Sequence, residues 1–251
     1  MVAEINPWDR KTDDSRKEDT VNLFIVFCED AVSEREYFLS FQTDTLKVNP
    51  IGNMRWGKLN LYDTIKQCLE DGLIEFTNDV YQVKPGVTKN IWCVYDRDAD
   101  NKDLSKVTEQ KCIPWSVSIQ TARAAGLNIA WSNDAFELWI LLHFEDIDPG
   151  KAVHRNYIYE RLTDIFKTIQ PRNEELDELT GKEHFYYKNG FKREKYFSDH
   201  VLSRIKPLTQ VALDRAKALA AHYSNNTAFH ERNPCTMVHL LVTELLANGG
   251  K

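Results

Sequence analysis

No apolar run in this 251-residue chain approaches the roughly 20 residues that a helix needs to cross a bilayer; VNLFIVFC and FELWILLHF are the longest. A transmembrane helix is therefore not expected. The five cysteines, Cys28, Cys68, Cys93, Cys112 and Cys235, form no CxxC pair and stand near no histidine at zinc-ligand spacing. That indicates neither a structural zinc site nor a disulfide frame, and Cys28 and Cys93, inside apolar runs, read as buried thiols. Neither GxxxxGK[ST] nor GxGxxG occurs, so a P-loop ATPase and a Rossmann dehydrogenase are not expected. Basic residues are not in excess either: the net charge is −6, so a grip on nucleic acid has to come from a local patch. The first twenty residues alternate charges and lack the apolar core of an export signal. They read as a solvated leader, with a cytoplasmic location as the expectation.

What is present is an ordinary globular composition, 42% hydrophobic and 28% charged, long enough for a substantial core. Val21–Cys28, Asn90–Tyr95 and Leu127–Trp131 are short apolar runs rich in β-branched and aromatic residues, with Thr45–Ile51 a weaker fourth. Their continuous apolarity suits strands buried on both faces, as in a parallel sheet. Between them lie helical patterns. Ser33–Phe41 opens with a candidate capping box, Ser33 with Glu36; Lys58–Glu75 has helical apolar spacing with Gly72 near its end; Ala135–Phe144 is a dense apolar helix. After Pro149-Gly150 the helical segments are Val153–Ile169, Phe197–Ile205, Leu208–Tyr223 and Thr236–Leu246, with acidic Asn173–Gly181 as the linker candidate. The expected fold class is α/β: a mostly parallel sheet flanked by helices over residues 21–150, and a helical region over 151–251 packed on it.

The chemistry is expected at the carboxyl ends of the strands. The run NIWCVY ends in Asp96-Arg97-Asp98, and in an extended chain the two carboxylates point to one side while Arg97 points away. Such a pair suits magnesium, which takes hard oxygen ligands from one or two carboxylates. A polar turn reads the same way, with Asp98, Asp100 and Asp103 as turn or capping residues. Glu29, at the end of the first strand, tips the balance toward a cation, because like charges on one sheet edge are costly without one. Glu34 either joins that site or favours the positive end of the helix it begins. A haloacid-dehalogenase phosphatase carries its DxD after the first strand instead, and a glycosyltransferase-like DxD leaves Glu29 unexplained. Lys182–Lys206 interleaves Lys188, Lys192 and Arg193 with Phe185, Tyr186, Tyr187, Phe191 and Tyr196. This is either a nucleic-acid surface or an amphipathic helix with a solvated basic face, and on the segment alone the second reading is preferred.

Four ordered motifs carry a family likeness: CEDAVSEREYF from Cys28, VYDRDAD, SNDAFELWILLHFE from Ser132 and NPCTMVHLLVTELL from Asn233. The glutamate after a first strand and the DxD after a later one resemble Toprim domains, and the whole set is similar to the RloB-like family. Three positions depart from that family's pattern: Asp30 stands for its usual glycine, Ser33 for threonine and Asp134 for proline. The likeness implies a Toprim-like fold and a metal-dependent nuclease, the effector of an antiphage abortive-infection pair whose companion is an ATPase. It implies Mg²⁺ or Mn²⁺ on Glu29, Asp96 and Asp98, with Glu34 a further ligand or a base. Glu137, a carboxylate in an apolar helix, is a catalytic candidate. Ser132 and Asn133 are read equally as phosphate contacts or helix caps, and Lys188, Lys192 and Arg193 as nucleic-acid contacts. His143 and His239 are read as hydrogen-bonded core histidines. Nucleic acid and the ATPase are the implied partners, self-association is left open, and the rival is a catalytically silent, partner-binding subunit.

Overall fold

The computed structural model describes residues 21–52, 61–99, 104 and 109–249. The expected leader, the start of the Lys58 helix, Asp100 and Asp103 lie outside them. The first half runs β1 (Asn22–Cys28), α1 (Ser33–Leu39), β2 (Leu46–Gly52), α2 (Leu61–Glu70), β3 (Ile74–Thr77), β4 (Val80–Val83), β5 (Ile91–Asp96), α3 (Glu109–Ala124), β6 (Asn128–Asn133) and α4 (Glu137–Leu141). The second half runs α5 (Arg155–Thr168), α6 (Glu174–Thr180), α7 (Tyr187–Gly190), α8 (Glu194–Tyr196), a π-helical turn (Phe197–Leu202), α9 (Ser203–Ile205), α10 (Thr209–His222), β7 (Cys235–Thr236) and α11 (Val238–Asn248).

Five strands form one sheet in the order β2-β1-β5-β6-β7, and β3 and β4 form a separate hairpin. The pairs β1·β2, β1·β5 and β5·β6 are parallel, and β7 is antiparallel to β6. The architecture is thus α/β with a mostly parallel sheet and a helical C-terminal region. The chain leaves β1 to one side for β2 and returns on the other for β5, so the order reverses between β1 and β5. That crevice is where open α/β sheets hold their ligands.

The continuous apolarity of the strands is explained by their two buried faces. On β1, Phe24, Val26 and Cys28 enter the core under α1, α4, α5, α10 and α11, while Ile25 and Phe27 enter the opposite core under α2 and α3. β5 alternates the same way, Trp92 and Val94 against Ile91 and Cys93. All five cysteines are free and buried.

Several local expectations are corrected. Asn173–Gly181 is not a linker: Asn173 Oδ1 accepts the Leu176 N–H at 2.8 Å, Glu174 and Glu175 sit at the positive helix end, and Leu176 is buried, so α6 forms. Ser33 does not cap α1; Asp30 Oδ2 does so from outside, accepting the Ser33 N–H at 2.5 Å and the Val32 N–H at 3.3 Å. The helix expected up to Glu75 stops at Glu70, where Gly72 adopts φ +70° and the Leu73 N–H returns to Cys68 O at 2.8 Å. Thr236 belongs to β7, paired with Ser132, and its helix begins at Val238. The hairpin and α3 are additional to the expected elements. In α3, Cys112, Trp115, Ile119 and Ala122 do repeat at helical spacing, but Pro114 and the exposed Ile113 and Val117 obscure it.

His143 illustrates the core's demand on polar groups. Its Nδ1 meets Trp139 O at 2.9 Å, its ring lies 5.1 Å from that of Trp139, and its Nε2 has no partner among the described residues. Burial holds its pKa down to about 4, against 6.5 in the unfolded chain. Between those values the unfolded chain binds more protons, so this contribution to stability is complete above pH 6.5 and is lost as the pH falls toward 4. Urea denaturation should show wild type losing roughly 2 kcal/mol more than His143→Gln between pH 7 and pH 4.5. Parallel losses would show that His143 does not carry this dependence.

Candidate functional site

Six carboxylates in or beside β1, α1, β5 and α4 line one pocket of about 430 Å³ at the β1–β5 crevice: Glu29, Asp30, Glu34, Asp96, Asp98 and Glu137. Lys188, Lys192 and Tyr159 line it as well. The strands bring the first pair together. Glu29 follows the last residue of β1, Asp96 ends β5, and the Asp96 N–H donates to Glu29 Oε2 at 3.2 Å. Asp96 continues the side of β5 that carries Trp92 and Val94, and so faces α4. There the Phe136 N–H donates to its Oδ2 at 2.8 Å. Its Oδ1 is buried and has no hydrogen-bond partner among the described residues.

α1 and α4 supply the next two. Glu34 is 1% exposed, and its Oε2 accepts the Glu29 N–H at 2.6 Å and the Asp30 N–H at 3.2 Å. It therefore holds the turn after β1 as well as lining the pocket. Glu137 opens α4, where the Tyr159 hydroxyl donates to its Oε2 at 3.4 Å. These helices are held to each other by the ring of Tyr37, edge-on to Phe136 at 6.1 Å and to Trp139 at 6.2 Å.

Asp98 arrives by a different route from the one its spacing suggests. The strand ends at Asp96, and Asp98 adopts φ +53°, a left-handed conformation that Asp tolerates better than most residues. A turn, not the strand pleat, therefore carries its carboxylate to the pocket. There Arg155 Nη1 donates to its Oδ1. Arg97 does point away, donating to Asn133 Oδ1 at 3.1 Å and to Cys112 Sγ at 3.0 Å.

Crowding governs the electrostatics. Burial, then the charges of Glu29 and Asp30, push the Glu34 pKa well above the usual carboxylate range. Burial, then Glu34, Glu29 and Glu137, do the same to Asp96. Burial lifts Glu137 to about 7, with smaller contributions from Asp30 and Asp98. Among the described residues no three His, Cys, Asp or Glu side chains are already drawn close enough to enclose a metal ion. In chemistry the set fits a hard cation nonetheless: oxygen ligands only, mutually repelling, one of them a buried oxygen without a partner among the described residues.

The remaining candidates are placed elsewhere. Ser132 is wholly buried and its Oγ meets Thr236 Oγ1 at 3.0 Å. Asn133 donates from Nδ2 to Arg232 O at 2.9 Å and to His230 O at 3.1 Å, so both residues join the C-terminal segment to the sheet and neither lines the pocket. Arg193 is exposed, its guanidinium 5.5 Å from the Tyr196 ring, and it too lies off the pocket. Lys188 sits at the pocket with its ammonium 5.3 Å from the Tyr159 ring. Phe185, Tyr187 and Phe191 are core residues, so the basic segment offers lysines without these rings for stacking. His239 is buried, its Nδ1 3.0 Å from Thr236 O.

Three contributors escape sequence reasoning. Asp134, fully buried, accepts the Ala99 N–H at 2.6 Å and the Arg155 N–H at 3.1 Å, tying the Asp98 turn to the start of α5. Arg155 and Tyr159 come from that helix, over fifty residues downstream, and only their i, i+4 spacing hints at a shared face.

A carboxylate-rich pocket at the switch point of a mostly parallel sheet defines an α/β protein built to bind a cationic or metal-associated ligand. The profile of the RloB-like protein family matches residues 24–245, nearly the whole chain, and the chain belongs to that family. Neither curated proteins nor solved structures gave a match.

Because Asp96 is ionised only against burial and its neighbours' charge, its neutral isostere should stabilise the metal-free protein. Its folded pKa is raised, so the penalty on the native state is present at high pH and fades as the pH falls through that value. Asp96→Asn, melted in EDTA, should gain several degrees at pH 8 and progressively less at lower pH, while a gain that is absent at pH 8 would contradict the crowding.

Proposed function

We propose that this protein is a Toprim-type, metal-dependent nuclease that hydrolyses phosphodiester bonds in DNA or RNA, the effector of an antiphage abortive-infection pair with an ATPase companion. The observation that carries the reading is the convergence of six carboxylates at the β1–β5 crevice, with lysines at the same pocket. Glu29, Asp96 and Asp98 would hold Mg²⁺ or Mn²⁺. When bound, such an ion supplies charge neutralisation and polarises a phosphoryl oxygen.

The chain's own residues supply the rest. Glu34 fixes the turn that presents Glu29. Glu137, with its pKa raised to about 7 and Tyr159 beside it, takes a proton from the attacking water at its carboxylate near neutral pH. Lys188 and Lys192 hold phosphate oxygens at the exposed side of the pocket. A second reading, a silent subunit that binds the ATPase, draws on the ion pair of Arg155 with Asp98, which neutralises that carboxylate within the chain.

Calorimetric titration of Mn²⁺ separates the two readings. Wild type should bind saturably, Glu29→Gln/Asp98→Asn should not, and Asp98→Asn should abolish strand cleavage with its melting curve retained. Asn is chosen because it also tolerates the positive φ of position 98. Equal titrations for wild type and variant would move the assignment to the partner-binding subunit.

A further inference from the structure

Arg155 opens α5 beside the carboxylate pocket. Its guanidinium donates to Asp98 Oδ1, and Tyr159, one turn along the same helix face, lines the pocket. The ion pair is not what holds the two backbones in place. The Asp98 N–H donates to Asp134 O at 3.1 Å, the Arg97 N–H to Ser132 O at 3.1 Å, and the Arg155 N–H to Asp134 Oδ2 at 3.1 Å. All three bonds remain if the side chains part. Both side chains also keep some solvent contact, 21% for Arg155 and 27% for Asp98, so rotation alone can separate them.

A guanidinium and a divalent cation on one carboxylate repel each other, whereas a guanidinium and a phosphate attract, and the planar fork of Arg matches both kinds of oxyanion. We infer that Arg155 is the resident counter-ion of Asp98, displaced when a divalent cation takes that carboxylate and then transferred to a phosphate of the substrate; this rests on the metal reading above. Arg155 thereby weakens metal binding to the protein alone and strengthens phosphate binding once the metal is in place. Metal and substrate are coupled through one side chain, and the coupling is reciprocal.

The test compares wild type, Arg155→Ala, Arg155→Lys and the control Arg161→Ala, whose lost cation pairs with Glu145 outside the pocket. Mn²⁺ is titrated by calorimetry, and thymidine 5′-monophosphate is then titrated into the Mn²⁺-saturated proteins. Arg155→Ala is expected to bind Mn²⁺ about five- to tenfold more tightly than wild type and the mononucleotide about tenfold more weakly. Arg155→Lys, which keeps the charge without the fork, should fall between, and Arg161→Ala should match wild type.

Mn²⁺ binding by Arg155→Ala alone, with none by wild type, would overturn the exchange, because Arg155 would then hold Asp98 against the cation and not yield it. Unchanged or weaker Mn²⁺ affinity in Arg155→Ala, an unchanged mononucleotide affinity, or equal tightening in Arg161→Ala would overturn it and leave the metal reading standing. Absence of Mn²⁺ binding in every protein would overturn both.

Discussion

Glu29 and Asp96 end neighbouring parallel strands, and the register of β1 on β5 places their carboxyl groups, with that of Glu34, in one half-buried space. Like charges at such distances repel strongly where water is scarce, so a chain that keeps them needs compensation. Much of the surrounding structure supplies it. Backbone N–H groups of Glu29, Asp30, Asp96 and Phe136 point at carboxylate oxygens, Tyr159 donates to Glu137, and Arg155 donates to Asp98. These partners reduce the repulsion, while burial first and neighbouring charge second keep the pKa values of Glu34, Asp96 and Glu137 raised.

Such crowding is tolerable only on a rigid frame. The sheet is buried on both faces, and Tyr37, Phe136, Trp139 and His143 pack ring to edge beneath the pocket, so α1 and α4 cannot drift apart to relieve their carboxylates. Asp134 plays the corresponding part on the far side by bonding two backbone amides. Its position in the family-like motif SNDAF carried no sign of that role, because the role depends on where Ala99 and Arg155 arrive.

How far each feature could be read follows from how local its cause is. The buried strands were legible because a two-faced sheet needs nearly continuous apolar runs, and Glu29 and Asp96 were legible as strand-end acids. The acids of α6 resemble loop composition and so read as a linker, although Asn173 at the cap and Leu176 on the buried side are both present in the sequence. Ser33 has the residue type and spacing of a cap for α1, but Asp30, which stands where the family's glycine is expected, accepts the Ser33 amide instead. Ser132 and Asn133 stand at the end of β6 as expected, yet they are spent on the C-terminal segment, a pairing more than a hundred residues away for Ser132 and Thr236.

The amino-acid sequence alone determined the α/β class, the strand-end carboxylates and the family likeness, because apolar period and short motifs are written in neighbouring residues. Tertiary structure alone decided which charges meet. The left-handed turn at Asp98, the arrival of Arg155 on its carboxylate and the burial that raises Glu137 all depend on α5 crossing the carboxyl edge of the sheet. Electrostatic interaction is set by distance and solvent exclusion, and neither can be read from separation along the chain.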